Sequence, residues 1–233
     1  MKNHVSLTFG LLITLAGLAE AADWSEQQIP KLPKSEKAIR LFNGFDLSGW
    51  EGQTGKYFHV DNGIIVGKNS QENAPKSSTY LVTDRRYRNF RLIFESKLVT
   101  SEMHSGIALW GQTVERNGDP YSYLGHLVMY PSNYGYHDLY RRREIYKDEK
   151  GAAKTAGKQH DWNQMEILAI GSRIRHVING KFVADWTDPT PELCQAGPIG
   201  LQLHSNTVPQ EVQWRGLILT VNPEDVLVTE VKP

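Results

Sequence analysis

The chain has 233 residues, with 26 Lys plus Arg balanced by 26 Asp plus Glu. This length suits one large β domain or two small ones. Because the formal net charge is zero, the overall charge gives no indication of a nucleic-acid partner or of an anionic membrane surface, and we expect no nucleic acid to bind.

The first residues are typical of a secretory signal. Lys2 gives a basic start, residues 5–18 are apolar, and the Ala-Glu-Ala sequence at 19–21 fits the small-x-small cleavage rule. We therefore expect a signal peptide at residues 1–21 and a secreted or periplasmic protein, with a retained anchor as the alternative. The apolar run is short for a membrane span, and no later stretch approaches that length, so we expect no span in the mature chain.

Several classes of catalytic site have no matching motif in the sequence. It contains no phosphate-binding glycine loop, no Gly-x-Ser-x-Gly elbow and no His-Glu-x-x-His motif, so we expect no organic cofactor. Cys194 is the only cysteine, which excludes an intrachain disulfide even in an exported protein. We interpret it as a small buried side chain rather than a nucleophile.

The polar residues 22–38 predict a linker or a loosely docked N-terminal arm, followed by a single β-sandwich domain at 39–233. Within this domain, Asp-Asn-Gly at 61–63 predicts a hairpin turn. Residues 90–99 predict a strand with two contrasting faces. Its apolar face carries Phe90, Leu92, Phe94 and Leu98, and its polar face carries Arg91, Glu95 and Lys97.

The second half of the chain continues with short strands. Residues 162–186 predict a three-stranded meander with turns at 171–172 and 179–180, and two further strands close the domain. No long amphipathic helix and no internal repeat is evident. This pattern predicts an all-β fold, a two-sheet antiparallel jelly-roll sandwich of the concanavalin or lectin type.

Two predicted strands carry polar groups suited to chemistry. In GPIGLQLHSN, residues 197–206, the alternation sends Leu201 and Leu203 into the core and Gln202 and His204 to an outer, concave face. The alternative is that these two are ordinary solvated residues. In YLGHLVMYP, residues 123–131, we expect a similar alternation. There Leu127 and Met129 would face the core, and His126 and Tyr130 the outer face.

The segment after YLGHLVMYP combines aromatic rings with charged groups, which is typical of a carbohydrate-binding surface. It includes His137, Asp138, Tyr140 and Arg141, and the alternative is a charged loop at the sandwich edge. Trp110 is a candidate stacking platform, with burial in the core as its alternative. A divalent cation is a further hypothesis, with ligands drawn from separate strands. Its candidate ligands are His126, His137, Asp138 and His204.

Four stretches, in order, resemble the 3-keto-disaccharide hydrolase family. They are LFNGFDLSGW, SGIALW, DWNQMEILAIGSRIRHVINGK, and GPIGLQLH followed by VQWRGLIL. The resemblance covers about residues 39 to 221. It implies a concanavalin-like jelly roll and cleavage of glycosides oxidised to a ketone at sugar carbon 3, with a carbohydrate as the partner.

Some positions depart from the family pattern. Where the family has G-x-E-x-Q, this chain has YLGHLVMY, and we expect His126 in place of the acid and Val128 in place of the amide. His104 stands where the family has Asn, and Trp110 lies near a position where the family often has Arg. Gln202 and His204 match the family. These departures imply an altered ketosugar site or a different substrate.

The resemblance and the shared faces together suggest residue roles. His204 is the first candidate for proton transfer, His126 the second, and Glu95 a base or an orienting group. The expected substrate-binding residues are Gln202, Tyr130, His137, Asp138, Tyr140, Arg141 and Trp110.

Other functions remain open from the sequence. Ordinary glycoside hydrolysis needs two carboxylates, for which Glu95, Glu166 and Asp138 are available. A non-catalytic glycan-binding module is the main alternative from another class, since fold alone does not decide function. A protein–protein interaction domain is the third possibility.

Overall fold

The computed structural model describes residues 30–100, 104–130, 135–148 and 151–232. The predicted signal peptide and the beginning of the predicted arm lie outside these residues. Within the described ranges, two antiparallel sheets of eight and seven strands form a sandwich. The strands are β1 (Ile39–Arg40), β2 (Trp50–Glu51), β3 (Phe58–Asp61), β4 (Ile64–Asn69), β5 (Thr79–Tyr87), β6 (Phe90–Thr100), β7 (Ser105–Arg116), β8 (Asp119–Tyr130), β9 (Tyr136–Asp138), β10 (Arg143–Tyr146), β11 (Asn163–Ile170), β12 (Arg173–Ile178), β13 (Lys181–Thr187), β14 (Gly197–Leu203) and β15 (Gln210–Val221).

The strand order confirms the predicted jelly-roll sandwich. The eight-stranded sheet runs β13-β12-β11-β6-β15-β4-β3, with β1 paired to β15, and the seven-stranded sheet runs β10-β9-β8-β7-β14-β5-β2. Helical structure in the described ranges is limited to α1 (Ala152–Ala156) and a 3-10 turn at Pro191–Leu193. No helix in these ranges is long and apolar enough to span a membrane.

Three predicted turns join neighbouring strands as the sequence indicates. Asn62-Gly63 links β3 to β4, and Asn179-Gly180 links β12 to β13; all four residues have positive φ. This left-handed backbone matches the twist of a two-residue hairpin and favours Asn and Gly. Gly171-Ser172 links β11 to β12, so the meander at 162–186 is confirmed.

The main core lies between the sheets and is built by alternation on each strand. On β6, Leu92 and Phe94 are fully buried in this core, while Arg91 and Glu95 are on the opposite face, as predicted. On β14, Leu201 and Leu203 are likewise fully buried in it. The inner faces of both sheets are therefore apolar, which leaves their outer faces available for other roles.

Arg91 anchors both ends of the described chain to the outer face of the eight-stranded sheet. Its guanidinium donates to Glu36, in the N-terminal arm, and forms an ion pair with Glu166 on β11. Glu166 in turn accepts the backbone N–H of Thr229 at 2.8 Å. Because the Glu36 side chain is only 2% exposed, the arm is firmly anchored at this residue, in contrast to the loose docking expected.

Candidate functional site

A pocket of about 630 Å³ opens on the outer face of the seven-stranded sheet. It is built over strands β5, β7, β8, β9 and β14, whose inner faces form the core. Its lining combines imidazoles, hydroxyls, an amide and a small set of charges over an apolar floor, which is a typical composition for a small-molecule site. The lining residues are Lys76, Ser77, Ser78, Tyr80, His104, Arg116, Asn117, Ser122, Tyr123, Leu127, Met129, His137, Leu139, Arg142, Glu144, Gln202, His204 and Ser205.

Gln202 and His204 lie in this pocket, so the predicted orientation of β14 is confirmed. The Gln202 side chain donates to the hydroxyl of Tyr80 on the neighbouring strand, at 3.2 Å. Its carbonyl oxygen is buried and has no hydrogen-bond partner among the described residues. A buried amide oxygen ordinarily has a partner, so this acceptor is an unsatisfied group beside the pocket.

His104 and His204 form an edge-to-face pair, with ring centroids 4.7 Å apart. Burial, followed by the proximity of His204 and of His137, lowers the pKa of His104 to about 3. Burial also lowers the pKa of His204, partly offset by the backbone of Ser205. Both imidazoles are therefore neutral at pH 7, the state in which a histidine can accept a proton.

His137 is the third imidazole of the pocket. It lies on the outer face of its sheet, in the segment that the sequence predicts as a binding surface. Burial lowers its pKa, and the nearby Glu144 partly offsets this effect. The Nδ1 atoms of His137 and His204 are buried and have no hydrogen-bond partner within the described ranges. These nitrogens are therefore unsatisfied groups at the edge of the pocket.

The pocket floor is apolar. Leu127 and Met129 from β8 pack with Tyr80, Tyr123 and Leu139 into a hydrophobic cluster that is separate from the main core. The rings of Tyr80 and Tyr123 are 5.5 Å apart, and the Tyr123 hydroxyl donates to the Pro198 carbonyl at 2.6 Å. Aromatic and aliphatic groups of this kind cover the C–H face of a sugar ring.

The ionic groups of the lining are mostly cationic. Lys76, Arg116 and Arg142 are opposed by the single carboxylate of Glu144. Because positive groups around a partly desolvated pocket stabilise negative charge, this lining suits an anionic substrate or a developing oxyanion.

The predicted orientation of β8 is wrong. His126 is fully buried beneath the pocket floor, and Tyr130 is 1% exposed in the main core. Leu127 and Met129 face the pocket instead. The Tyr130 hydroxyl accepts a hydrogen bond from the Trp214 indole at 2.5 Å, so it is satisfied inside the sandwich. Both residues are thus excluded from the outer face on which they were expected.

Trp110 is also a core residue rather than a stacking platform. It is fully buried, has φ 53° at a bulge of β7, and donates its indole N–H to the Arg88 carbonyl at 2.7 Å. Its ring meets His126 edge to face at 5.5 Å. The Tyr140 hydroxyl donates to the Trp110 carbonyl at 2.9 Å. Tyr140 therefore packs on this cluster and is not among the residues lining the pocket.

Asp138 and Arg141 form a local structural unit outside the pocket lining. Asp138 is fully buried and accepts the Tyr140 backbone N–H at 2.9 Å and the Arg141 Nε at 2.6 Å. Burial tends to raise the pKa of Asp138, but the hydrogen bonds and charge of Arg141 outweigh this effect and lower it. The pair shapes the turn after β9, and the charged residues that line the pocket at this edge are Arg142 and Glu144.

Glu95 lies on the other sheet, which separates it from the pocket. It accepts a 2.6 Å hydrogen bond from Arg215 on the outer face of the eight-stranded sheet. Arg215 also stacks over the Trp162 ring, 4.1 Å from its centroid. The sequence correctly gives the face of β6 but does not say on which sheet that face lies.

The expected metal ligands do not come together. His137 and His204 line the pocket, whereas His126 and Asp138 are buried outside its lining. In the described part of the chain, the ligand atoms that lie within 4.8 Å of one another belong to a different set, His126, Asp188 and Cys194.

Sequence reasoning missed His104 as a pocket residue, together with Tyr80, Tyr123 and the cationic lining. His104 directly precedes β7. In the sequence it was identified only as a departure from a family pattern. The available signal was the alternation of β5, where Tyr80 and Val82 flank the core residue Leu81.

A family model of the 3-keto-alpha-glucoside-1,2-lyase-like domain matches residues 37–220. The chain belongs to this family. The resemblance seen in the sequence is therefore confirmed, and membership of the 3-keto-glucoside lyase-like family gives the protein a carbohydrate-active function of the glycoside-cleaving kind. A search of curated proteins gives no match.

Two solved structures support the fold assignment. Both are of candidate glycosyl hydrolases from Parabacteroides distasonis, each with a TM-score of 0.54 and 18% identity. The alignments cover 79% and 78% of this chain, and 93% and 98% of the other chains. A sialidase aligns with a TM-score of 0.50 and 9% identity, over 83% of this chain and 19% of its own. At these identities the likeness establishes the fold alone.

The spacing of residues in the sequence corrects the assignment of the family motif on β8. Counted from Gly125, the acid and the amide of G-x-E-x-Q fall on Leu127 and Met129, not on His126 and Val128. Both of these residues face the pocket. The chain therefore has apolar side chains where the family pattern has a carboxylate and an amide, beside a pocket that contains three histidines.

Proposed function

We propose that the protein cleaves the glycosidic bond of a 3-keto glycoside by acid–base chemistry at the pocket histidines. The observation that carries this proposal is the meeting of His104, His137 and His204 with Gln202 in one pocket. The lowered pKa values of the three imidazoles keep them in the base form at neutral pH.

A ketone at carbon 3 makes the hydrogen on carbon 2 acidic. In the proposed reaction, His204 removes this proton, and the electron pair of the C–H bond forms an enolate with the carbonyl. The enolate then reforms the ketone and expels the glycosidic oxygen from carbon 1, leaving a double bond between carbons 1 and 2. A proton donated to the leaving oxygen completes the elimination, and water can then add to the double bond.

The neighbouring groups support these steps. Gln202 is suited to hold a sugar hydroxyl, and Arg116 and Arg142 provide positive charge for the enolate oxygen. His104 and His137 are the candidates to relay the proton that His204 takes from carbon 2 to the leaving oxygen, since both are in the base form until they receive it. Positioned acid–base groups contribute about 10²–10⁴-fold each, which sets the size of the effect expected on their removal.

The test compares purified protein on a 3-keto disaccharide and on the same disaccharide without oxidation. We expect turnover of the oxidised substrate alone, slowed by deuterium at carbon 2 if proton removal limits the rate. His204→Ala should lower kcat by about 10²–10⁴-fold. His59→Ala, an exposed histidine on β3 of the other sheet, is the matched control and should leave kcat unchanged.

Other outcomes would identify the alternatives. Binding of both sugars without turnover would overturn the proposal in favour of a glycan-binding module. Turnover of the unoxidised disaccharide at an equal rate, with no isotope effect, would indicate ordinary glycoside hydrolysis. Full activity in His204→Ala would remove His204 from its role as the base.

A further inference from the structure

Three buried side chains of metal-binding type meet beneath the pocket floor. His126 comes from β8, Asp188 follows β13, and Cys194 follows the 3-10 turn at Pro191–Leu193. One ligand atom from each lies within 4.8 Å of the other two. His126 and Cys194 are fully buried and Asp188 is 3% exposed. Asp188 and Cys194 follow His126 by 62 and 68 residues in the sequence, so the fold and not the local sequence brings the three together.

The arrangement leaves one polar group of this cluster unsatisfied. His126 hydrogen-bonds through Nε2 to Asp188, whose other carboxylate oxygen accepts the Thr190 backbone N–H at 2.7 Å. His126 Nδ1, however, is buried and has no hydrogen-bond partner among the described residues. Nε2, and not Nδ1, is the nitrogen that meets Asp188, so Nε2 is the atom that an ion shared with this carboxylate would take.

The donor set selects the kind of ligand. Thiolate, imidazole and carboxylate together suit Zn²⁺, with bonds of about 2.0–2.3 Å, and ligand atoms around such an ion lie roughly 3.5 Å apart. Burial, and then the charge of Asp188, raises the pKa of the Cys194 thiol to about 12. A cation reverses this balance, because coordination deprotonates the thiol.

We propose that His126, Asp188 and Cys194 bind one Zn²⁺ ion as a buried structural site. The ion replaces the hydrogen bond between the imidazole and the carboxylate, and the thiol proton leaves to solvent. The three protein ligands leave the fourth tetrahedral position to a water molecule. Zinc then links the segment 188–194, which contains no strand, to the underside of β8, at the residue next to the pocket-lining Leu127.

The surroundings favour a structural role over a catalytic one. The rings of Trp110, Trp186 and Tyr140 lie 5.5–6.2 Å from the His126 ring and shield the cluster from bulk water. The ion and its water would thus be enclosed away from the pocket, and the binding free energy of the metal would add to the stability of the fold. This proposal does not depend on the reaction proposed above.

The test uses Co²⁺ as a spectroscopic probe, because thiolate bonded to cobalt gives a charge-transfer band in the near ultraviolet. The full chain is treated with chelator, titrated with Co²⁺ and then with Zn²⁺. We expect a thiolate band that saturates at one Co²⁺ per chain, its loss on addition of Zn²⁺, and an increase in Tm with Zn²⁺. Cys194→Ser should abolish the band, and Asp188→Asn should weaken Co²⁺ binding at least about tenfold.

The matched control is His204→Asn, which removes an imidazole from the pocket and should leave the band unchanged. Circular dichroism of each variant checks that it is folded. Absence of the band in folded protein, or its persistence in Cys194→Ser, would overturn the proposal. Metal that binds without a thiolate band and is lost in His204→Asn would place the ion in the pocket and would also overturn it.

Discussion

His104 and His204 meet edge to face in the pocket, with ring centroids 4.7 Å apart and an interplanar angle of 72°. Because the rings are this close, a positive charge on one imidazole disfavours protonation of the other. The pair can therefore hold one proton far more readily than two, and its titration belongs to the pair rather than to either residue. Such a pair is suited to accept a proton at neutral pH and to release it in a later step.

The first prediction concerns the pH dependence of cleavage. Because burial lowers the pKa of His204, and burial with neighbouring imidazoles lowers that of His104 to about 3, the base form persists below the usual histidine pKa of about 6.5. We expect kcat/KM for a 3-keto glycoside to stay constant from pH 8 to below 6.5. A pH–rate profile measures this, and an acidic midpoint at or above 6.5 would contradict it.

The second prediction uses the apolar floor. Leu127 pairs with His137 across β8 and β9, and both side chains line the pocket. In Leu127→Glu, a carboxylate beside His137 should raise the pKa of that imidazole, because an opposite charge favours the protonated form. NMR titration of the histidine side chains measures the shift. Leu127→Gln, with similar shape and no charge, is the control, and an equal shift in both variants would refute the electrostatic explanation.

The third prediction concerns the Arg91 cluster. Arg91→Met leaves Glu36 and Glu166 as buried carboxylates without their cation, so we expect a loss of about 3–5 kcal/mol in the free energy of unfolding. Arg173→Met removes the ion pair with Asp185, in which both side chains are about 40% exposed, and should cost less than about 1 kcal/mol. Urea unfolding compares the two variants. Similar losses would show that burial does not determine the strength of the Arg91 contacts.

The fourth prediction concerns stability in acid. His176 is 2% exposed on β12, and burial lowers its pKa to about 3. The unfolded chain binds a proton at this residue near pH 6.5, whereas the folded chain does not. Its contribution to stability is therefore complete above pH 6.5 and is lost as the pH falls toward 3. His176→Phe should reduce the loss of stability between pH 6.5 and pH 5.

Urea unfolding at the two pH values measures this difference, with His59→Phe as the control at an exposed site. The slope from one titrating imidazole is at most about 1.4 kcal/mol per pH unit, which sets the size of the change. An unchanged pH dependence in His176→Phe would show that other groups govern the acid response over this range.

The sequence predicted the fold because alternation and turn chemistry are local signals. On β14, the contrast between Leu201 or Leu203 and Gln202 or His204 identified the outer face correctly. On β8 that contrast is absent, since Leu127, Val128 and Met129 are all apolar and one polar residue, His126, lies among them. Its burial depends on Asp188, 62 residues away, which hydrogen-bonds to the imidazole through Nε2. No local pattern contains that information.

The composition of the site was only partly predictable for a related reason. Alternation assigns Glu95 to the polar face of its strand, but only the pairing of β6 with β11 and β15 shows that this face lies on the sheet opposite the pocket. The contact between His104 and His204 likewise depends on how the start of β7 is positioned beside the end of β14. Such juxtapositions are properties of the assembled sheets.

The anchoring of Glu36 by Arg91 has a practical consequence for handling the protein. The N-terminal arm meets the sandwich on the eight-stranded sheet, whereas the pocket opens on the seven-stranded one. Attachment of the protein to a solid support through the arm would thus place the eight-stranded sheet toward the support. The pocket would then face the solution. Immobilised preparations made in this way should retain access for large soluble ligands.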